Sequence, residues 1–220
     1  MALFTTIIWD MDGVLVDSER HWDEMENFFL KEAIPEWERF DTSLLVGRSL
    51  HDIYDLLTEE YGLAMSREEY VQKYNRRAKT IYGEKADLMP NAESALQILS
   101  TEGAVQALVS SSTREWIGYA MERFKLGKYF EVIISSDDVK GKGKPAPDIY
   151  EHACWKLDIG KENILVIEDS EPGVTAAKHA GLAVALYPSK ENMESEFQQQ
   201  ADYVIHDLLE VPLLRQQGQI

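Results

Sequence analysis

Residues 5–18 read TTIIWDMDGVLVDS, and a short apolar run in this segment leads directly into two aspartates and a glycine. The run TTIIWD (5–10) is too short for a helix and is rich in β-branched residues, which predicts a buried strand. Asp10 and Asp12 lie two residues apart at its end, so their side chains leave on the same side if the chain stays extended. Gly13 allows a sharp turn directly after them. The segment therefore predicts a strand that carries paired carboxylates to the edge of a sheet.

Four further apolar runs resemble the first in length and composition, and segments of helical period separate them. These runs are AVQALVS (104–110), EVIIS (131–135), NILVIED (163–169) and LAVALY (182–187). Near-continuous apolar runs indicate strands that are covered on both faces, as in a parallel sheet. Asn91 and Thr113 stand where N-caps of the intervening helices are expected. The alternation predicts an α/β fold with a doubly wound parallel sheet.

Residues 18–85 interrupt this alternation and have helical periodicity throughout. Three amphipathic segments are visible, HWDEMENFFLKEA, SLHDIYDLLTEEYG and SREEYVQKYNRRAKTIYG. Ser66 and Glu69 have the spacing of a capping box at the start of the third segment. We therefore predict an α/β core domain formed by residues 1–16 and 86–220, with an inserted all-helical cap domain at residues 17–85.

The charge of the chain restricts the classes of partner that it can bind. The 220 residues include 22 Lys and Arg against 39 Asp and Glu, so 22 − 39 gives a net charge of −17. Such a chain is repelled by a phosphate backbone and by an anionic membrane surface, and we expect no nucleic-acid or membrane partner. No apolar run approaches the 18 residues of a membrane span, and MALFTTIIWD lacks the basic region of a signal peptide. With a single cysteine, Cys154, and hence no internal disulfide, the sequence predicts a cytoplasmic protein.

Polar residues that can do chemistry follow the predicted strands. Ser110 ends the second apolar run and Ser111 and Ser112 follow it, Lys144 lies in the loop after the third run, and Glu168 and Asp169 end the fourth. Ligands of open parallel sheets bind outside the carboxyl ends of the strands, so these groups are expected to converge with the first two aspartates. A single acid at a strand end could equally be a helix cap, but pairs at two strand ends indicate a site. Four carboxylates together need a divalent cation, and oxygen ligands favour Mg²⁺.

The residue types at these strand ends suit phosphoryl transfer. Asp10 can attack a phosphorus atom while Asp12, if protonated, delivers a proton to the leaving oxygen. Ser110, the backbone amide after it and Lys144 are donors for the phosphoryl oxygens, on which the charge of the transition state lies.

The four motifs DMDGVLVDS, LVSSS, KGKPAPD and VIEDSEPG occur in this order and closely resemble the signature motifs of the haloacid dehalogenase superfamily. The resemblance is strongest to its phosphatase and β-phosphoglucomutase-like branch, in which a helical cap follows the first motif, and it covers essentially the whole chain. It implies an Mg²⁺-dependent phosphatase with an aspartyl-phosphate intermediate. The implied roles are Asp10 as nucleophile, Asp12 as general acid and base, Ser110, Ser111 and Lys144 as phosphate ligands, and Asp10, the carbonyl of Asp12, Glu168 and Asp169 as metal ligands. Dehalogenases and phosphonatases of the superfamily lack the second aspartate, so its presence favours phosphoryl transfer.

The segment LLVGRSLHDI resembles the cap loop that reaches into the site in this family. The resemblance places Gly47, Arg48 and Ser49 nearest the substrate, which is expected to be a small phosphorylated metabolite. Arg48 could bind a distal anionic group of that substrate or lie solvated on the surface. Caps of this size often allow a monomer, which is the expected state.

Two rival functions remain at this point. β-Phosphoglucomutases carry a His five residues after the Asp that ends the first motif and an Arg directly after the Gly-x-Ser of the cap loop. This chain has Trp22 and Leu50 at those positions, so water is favoured over a sugar hydroxyl as the phosphoryl acceptor. A receiver-like signalling module also uses Asp, Ser/Thr and Lys around Mg²⁺, but the order of the acidic motifs and the helical insertion disfavour it.

Overall fold

A computed structural model describes residues 4–34, 45, 48–139, 143–189 and 196–217 of the protein. The strands, in chain order, are β1 (Thr6–Trp9), β2 (Val16–Asp17), β3 (Asp87–Leu88), β4 (Val105–Val109), β5 (Val132–Ile134), β6 (Ile164–Glu168), β7 (Ala183–Leu186) and β8 (Tyr203–Val204). The α-helices are α1 (Glu19–Ala33), α2 (Leu50–Tyr61), α3 (Arg67–Thr80), α4 (Ala92–Thr101), α5 (Arg114–Phe124), α6 (Asp148–Leu157), α7 (Glu171–His179) and α8 (Glu210–Gln217). All five predicted strands are present, each one residue shorter at either end than its apolar run.

The principal sheet is parallel and has the order β5-β4-β1-β6-β7-β8. β1 pairs with β4 on one side and with β6 on the other, so that Ile8 lies between Ala107 and Val166. The chain builds the sheet first on the β4 side of β1 and later on the β6 side, so the strand order reverses next to β1. Ligand sites of such sheets lie at this reversal, outside the carboxyl ends of the strands. The predicted doubly wound parallel sheet is confirmed.

Helices cover both faces of this sheet. All four residues of β1 are buried; Ile7 and Trp9 belong to one apolar cluster and Ile8 to a second. Successive side chains of a strand point to opposite faces, so a fully buried strand needs cover on both sides. Residues of α4, α5 and α8 complete the first cluster and residues of α6 and α7 the second. Within the described part of the chain, every helix is too short or too polar to cross a bilayer.

The predicted helical insertion begins and ends at a two-stranded antiparallel ribbon. β2 pairs with β3 through Val16–Leu88 and Asp17–Asp87. α1, α2 and α3 lie between these strands, and the π-helical turn Ile81–Lys85 follows α3. The chain therefore enters the helical insertion at β2 and leaves it at β3, side by side, although these two strands lie far apart in sequence.

Two of the three predicted helix caps are present. Thr113 accepts a hydrogen bond from the backbone N–H of Trp116, and Ser66 accepts one from the backbone N–H of Glu69. Among the described contacts, the Glu69 side chain makes no return bond to Ser66, so only half of the predicted capping box is present. The prediction for Asn91 is wrong. An N-cap needs extended backbone so that its side chain reaches the first turn, but Asn91 has φ = 63° and instead donates its side-chain amide to Asp207.

Candidate active site

Three carboxylates meet at the carboxyl edge of the sheet, beside the reversal of strand order. Asp10 follows β1, Glu168 ends β6 and Asp169 comes directly after it; all three are buried. One oxygen from each lies within 4.8 Å of the others. The backbone N–H of Asp10 donates to the carbonyl of Ile167 at 3.0 Å, so the ladder between β1 and β6 continues up to the carboxylates. The structure thus brings Asp10 together with two residues that lie 158 and 159 positions later in the sequence (168 − 10 and 169 − 10).

Lys144 lies against this carboxylate group. Its ammonium donates to Oδ1 of Asp10 at 2.5 Å and to Oε1 of Glu168, and its side chain is 2% exposed. Tyr150 of α6 also donates its hydroxyl to Oε1 of Glu168. A buried cation with two carboxylate partners is held in one position, since a buried charge without a partner is costly. Lys144 is therefore held within hydrogen-bond distance of two of the three carboxylates.

Burial and neighbouring carboxylates raise the pKa values of Asp10 and Asp169. Burial, aided by the charges of Glu168 and Asp12, raises the pKa of Asp10 well above its usual range, against the opposing effect of Lys144. Burial is also the main cause of the strongly raised pKa of Asp169, to which Glu19 and Asp10 add. Like charges held together out of water disfavour the ionised form. A divalent cation bound among these oxygens would remove that penalty.

The donors present fit Mg²⁺. They are carboxylate oxygens, which hard cations prefer, and the described residues place three of them in reach of one ion. Gly13 makes room for this group: its φ is +75°, and a Cβ there would lie 1.9 Å from Oδ2 of Asp169. At Gly173, a Cβ would lie 2.0 Å from Oε2 of Glu168. Gly13 and Gly173 are therefore required by their close approach to the carboxylates of Asp169 and Glu168.

Asp12 accepts hydrogen bonds from four hydroxyl groups. Ser18 and Tyr82 each donate to its Oδ1 at 2.6 Å, whereas Ser112 at 2.9 Å and Ser110 at 3.4 Å donate to Oδ2. Ser110 is fully buried and also accepts the backbone N–H of Ser112 at 3.0 Å. The Asp12 carboxyl is therefore held in one orientation beside the end of β4.

Several residues of this site were missed by the motif analysis. Ser18, Tyr82, Ser112, Tyr150 and Glu19 all bind or closely approach one of the predicted carboxylates. Ser18 and Ser112 are the last residues of the motifs DMDGVLVDS and LVSSS, but the motifs gave no role for them. Tyr82 and Tyr150 could not have been found, because only the tertiary fold brings an otherwise ordinary helical tyrosine to a strand end.

The predicted substrate loop is described in part. Gly47 lies outside the described residues. Ser49 is the N-cap of α2: it accepts the N–H of Asp52 at 3.2 Å and donates to the Asp52 carboxylate at 2.6 Å. A Cβ at Gly143 would lie 3.4 Å from Cβ of Ser49, so the start of α2 touches the loop that carries Lys144. Arg48 and Lys144 line the same cleft, which has a volume of about 460 Å³. Ser111, which follows Ser110 at the end of β4, is half-buried.

The family model of haloacid dehalogenase-like hydrolases matches residues 7–187, which include all of these strand ends. The chain belongs to this family. A haloacid dehalogenase-like hydrolase is an enzyme, and the phosphatases among its relatives confirm the predicted enzyme class.

Curated relatives of this haloacid dehalogenase-like hydrolase carry phosphatase names. It is 33% identical over 191 residues to an assigned pseudouridine-5'-phosphatase of Drosophila melanogaster, covering 84% of this chain and 81% of the relative. It is 29% identical over 176 residues to a phosphorylated carbohydrates phosphatase of Thermotoga maritima, covering 80% and 81%. A match of 30% to the bifunctional riboflavin kinase/FMN phosphatase of Arabidopsis thaliana covers 96% of this chain but only 55% of that protein.

Solved structures share the fold. A crystal structure assigned to the haloacid dehalogenase-like hydrolases, from Bacteroides fragilis, has a TM-score of 0.81 at 24% identity and covers 94% of this chain and 99% of that one. A structure from Thermotoga maritima, assigned as a β-phosphoglucomutase, has a TM-score of 0.71 at 26% identity, covering 96% and 98%. The predicted fold is confirmed by both.

Proposed function

We propose that this protein is an Mg²⁺-dependent phosphatase that hydrolyses a small phosphorylated metabolite through an aspartyl-phosphate intermediate on Asp10. The observation that carries the proposal is the meeting of Asp10, Glu168 and Asp169 around one point, with Lys144 bonded to Asp10. The relatives named above, which include phosphatases of a pseudouridine phosphate and of phosphorylated carbohydrates, support a small phosphorylated substrate.

In the proposed reaction, the Asp10 carboxylate attacks phosphorus and the bond from phosphorus to the leaving oxygen breaks. Asp12 gives its proton to that oxygen, so the product leaves as an alcohol rather than as an alkoxide. Water then attacks the phosphorus of the aspartyl phosphate, Asp12 takes its proton, and phosphate leaves with Asp10 restored. Lys144 and the hydroxyl of Ser110, with Ser111 beside it, neutralise charge on the phosphoryl oxygens.

We propose that Asp10, Glu168, Asp169 and the carbonyl of Asp12 hold the Mg²⁺. When bound, the ion supplies positive charge next to the transferred phosphoryl group and so lowers the barrier to attack by a carboxylate. The chain's own contribution is to hold the carboxylates together. Lys144 and Tyr150 fix Glu168, and Gly13 and Gly173 leave the space that the carboxylates of Asp169 and Glu168 occupy.

We propose residues 17–85 as a cap that completes the site and the remaining α/β sheet as its base, at residues 1–16 and 86–220. The antiparallel ribbon of β2 and β3, which joins the two parts, supports these boundaries. The contact between Gly143 and the start of α2 closes one side of the cleft over Lys144. We propose that Arg48, which lines that cleft, binds a distal anionic group of the substrate.

A sugar phosphomutase is the second candidate, favoured by the shared fold with an assigned β-phosphoglucomutase. Two positions argue against it. Leu50 is buried as the first residue of α2, and its side chain has no group for a phosphate. Trp22 stacks on Trp116 with ring centroids 5.0 Å apart and donates its indole N–H to Tyr82, so it has no free polar group for a sugar.

The test is to screen phosphorylated sugars, nucleotides, glycolytic intermediates and pyrophosphate for phosphate release with Mg²⁺. β-Glucose 1-phosphate is included with a trace of β-glucose 1,6-bisphosphate, and glucose 6-phosphate is followed beside free phosphate. We expect multiple turnovers of phosphate release from at least one substrate and none in EDTA. Rapid formation of glucose 6-phosphate with little phosphate would favour the mutase, and a single turnover per protein would favour a receiver-like module.

A further inference from the structure

Tyr82 reaches the carboxyl of Asp12 from the far end of the helical insertion. It lies in the π-helical turn Ile81–Lys85, and its side chain is fully buried. A π-turn changes which side chain of a helix faces a neighbour, and such turns often occur at functional sites. The backbone carbonyl of Tyr82 accepts a hydrogen bond from Arg123 of α5 at 3.4 Å. The turn is therefore fastened to the helix that begins just after Ser112.

The hydrogen bonds around Tyr82 determine which partner its hydroxyl donates to. The indole N–H of Trp22 lies 3.1 Å from the Tyr82 oxygen, and an indole N–H can only donate. The Tyr82 oxygen thus accepts from Trp22 and uses its own proton for a different partner. The nearest acceptor is Oδ1 of Asp12 at 2.6 Å, and Ser112 Oγ is farther away at 3.3 Å.

Stacked rings keep Trp22 in this place. Its ring stacks on Tyr74 of α3, with ring centroids 5.8 Å apart, and on Trp116 of α5, with ring centroids 5.0 Å apart; the interplanar angles are 16° and 27°. Trp116 also donates its indole N–H to Asn75 of α3 at 2.7 Å. These contacts connect the helical insertion to α5, which packs on the sheet. The position of the Tyr82 hydroxyl at Asp12 therefore depends on how the insertion packs against α5.

We propose that Tyr82, oriented by Trp22, is a positioning residue for Asp12. Tyr82 and Ser18 each donate to Oδ1 at 2.6 Å, whereas Oδ2 accepts the longer bonds from Ser112 and Ser110, at 2.9 and 3.4 Å, so Oδ2 is the oxygen that transfers the proton. Without Tyr82, Oδ1 keeps only the bond from Ser18, the carboxyl is held less firmly, and the geometry for proton transfer to the leaving group is weakened. The inference rests on the proposed function, in which Asp12 is the general acid and base.

The variant Tyr82→Phe removes the hydroxyl and keeps the ring between its aromatic neighbours. The measurement is the single-turnover rate of phosphoenzyme formation with two substrates. One is the sugar phosphate that the wild type turns over fastest in the screen, and the other is p-nitrophenyl phosphate, whose leaving group needs no proton. General acid catalysis contributes about 10²- to 10⁴-fold, so we expect a loss of about 10- to 100-fold with the sugar phosphate. With the aryl phosphate we expect less than about a threefold loss.

Two further variants separate positioning from packing. Trp22→Phe retains an aromatic ring but removes the indole N–H, and it should show the same substrate pattern with a smaller loss. Added to Tyr82→Phe, it should slow phosphoenzyme formation no further, because residues that act through one contact are not additive. Tyr74→Phe, a hydroxyl removed from the same aromatic group, should leave both rates unchanged.

The control Asp12→Asn tests the proposed mechanism on its own. It should reproduce the leaving-group pattern with a larger loss, and an equal loss with both substrates would refute the acid role and with it the inference. If Asp12→Asn shows the pattern while folded Tyr82→Phe slows both substrates equally, or neither, the inference alone is overturned. Should Tyr82→Phe not fold, Trp22→Phe decides by the same criterion.

Discussion

At the scale of single residues, Gly13 shows how the backbone makes room for charge. Its positive φ of +75° disfavours any side chain, and a Cβ would overlap Asp169. Gly103 has nearly the same φ, +74°, but nothing lies within 4 Å of a Cβ there. Comparing alanine substitutions at the two glycines therefore distinguishes the effect of backbone strain from the effect of displacing Asp169.

We predict that Gly13→Ala and Gly103→Ala each lose about 1–2 kcal/mol of unfolding free energy, the cost of a left-handed alanine. Gly13→Ala alone should also lose phosphatase activity and the stabilisation by Mg²⁺, because Asp169 must move. Thermal unfolding with and without Mg²⁺, together with phosphate release, measures both effects. Retained Mg²⁺ stabilisation in Gly13→Ala would show that Asp169 is not a ligand.

The residues that sequence motifs could predict are those whose chemistry is fixed by their place at a strand end. Asp10, Glu168 and Lys144 follow apolar runs, and the sheet topology then brings them together. Tyr82 and Tyr150 look like ordinary helical tyrosines in the sequence, and their role at the site depends on side-chain contacts that only the tertiary fold creates. Asn91 shows the converse, since a residue typical of N-caps has the wrong backbone conformation to act as one.

At the scale of secondary-structure elements, the start of α5 lies directly beside the site. Thr113 caps this helix directly after Ser112, which binds Asp12. Thr101, at the end of α4, also has a bonded hydroxyl, but it donates to the carbonyl of Gln97 within its own helix. An N-cap satisfies a backbone N–H that otherwise has no partner, whereas the bond of Thr101 uses a carbonyl already within the helix.

Thr113→Ala should therefore lower the free energy of unfolding by about 1 kcal/mol. Thr101→Ala is the matched control, and we expect its change to stay within about 0.5 kcal/mol. Urea unfolding followed by circular dichroism measures both. Equal effects would mean that the cap of α5 contributes nothing beyond a surface threonine.

Elements of five or so residues were predictable, and elements of two were not. β4 and β6 are continuous apolar runs and were expected within one residue of their observed ends. β2, β3 and β8 have two residues each, too few for a periodic pattern, and β3 and β8 pair only because the fold brings a partner alongside. The same limit applies to the π-turn that carries Tyr82.

At the scale of the whole molecule, the net charge of −17 and the buried carboxylates both oppose the folded state. Part of this unfavourable free energy arises at the site, because Asp10 and Asp169 are buried near each other with Lys144 as their neighbouring cation. A ligand that binds only the folded state stabilises it by mass action. Mg²⁺ should therefore affect stability as well as activity.

We predict that Mg²⁺ at 100 times its dissociation constant adds about 2.7 kcal/mol to the free energy of unfolding. For a chain of this size that corresponds to a rise in Tm of roughly 5–10 °C. Sodium chloride at equal ionic strength is the control for general screening, and should give a smaller rise. Ca²⁺ should bind yet inhibit phosphate release, because its looser coordination misplaces the attacking oxygen. An equal rise with sodium chloride would argue against a specific metal site.

The central claim is a covalent phosphoryl group on Asp10, and trapping it is the most direct test. The enzyme is mixed with Mg²⁺ and p-nitrophenyl phosphate, quenched, and reduced with borohydride, which converts an aspartyl phosphate to homoserine. Peptide mass spectrometry then locates the change. The control Asp158→Asn, an exposed position where asparagine suits the left-handed backbone, should label and turn over as the wild type does. Asp10→Asn should give no label and lose activity by at least about 10³-fold. We predict homoserine at position 10, and label at any other residue, or full turnover by folded Asp10→Asn, would contradict the account.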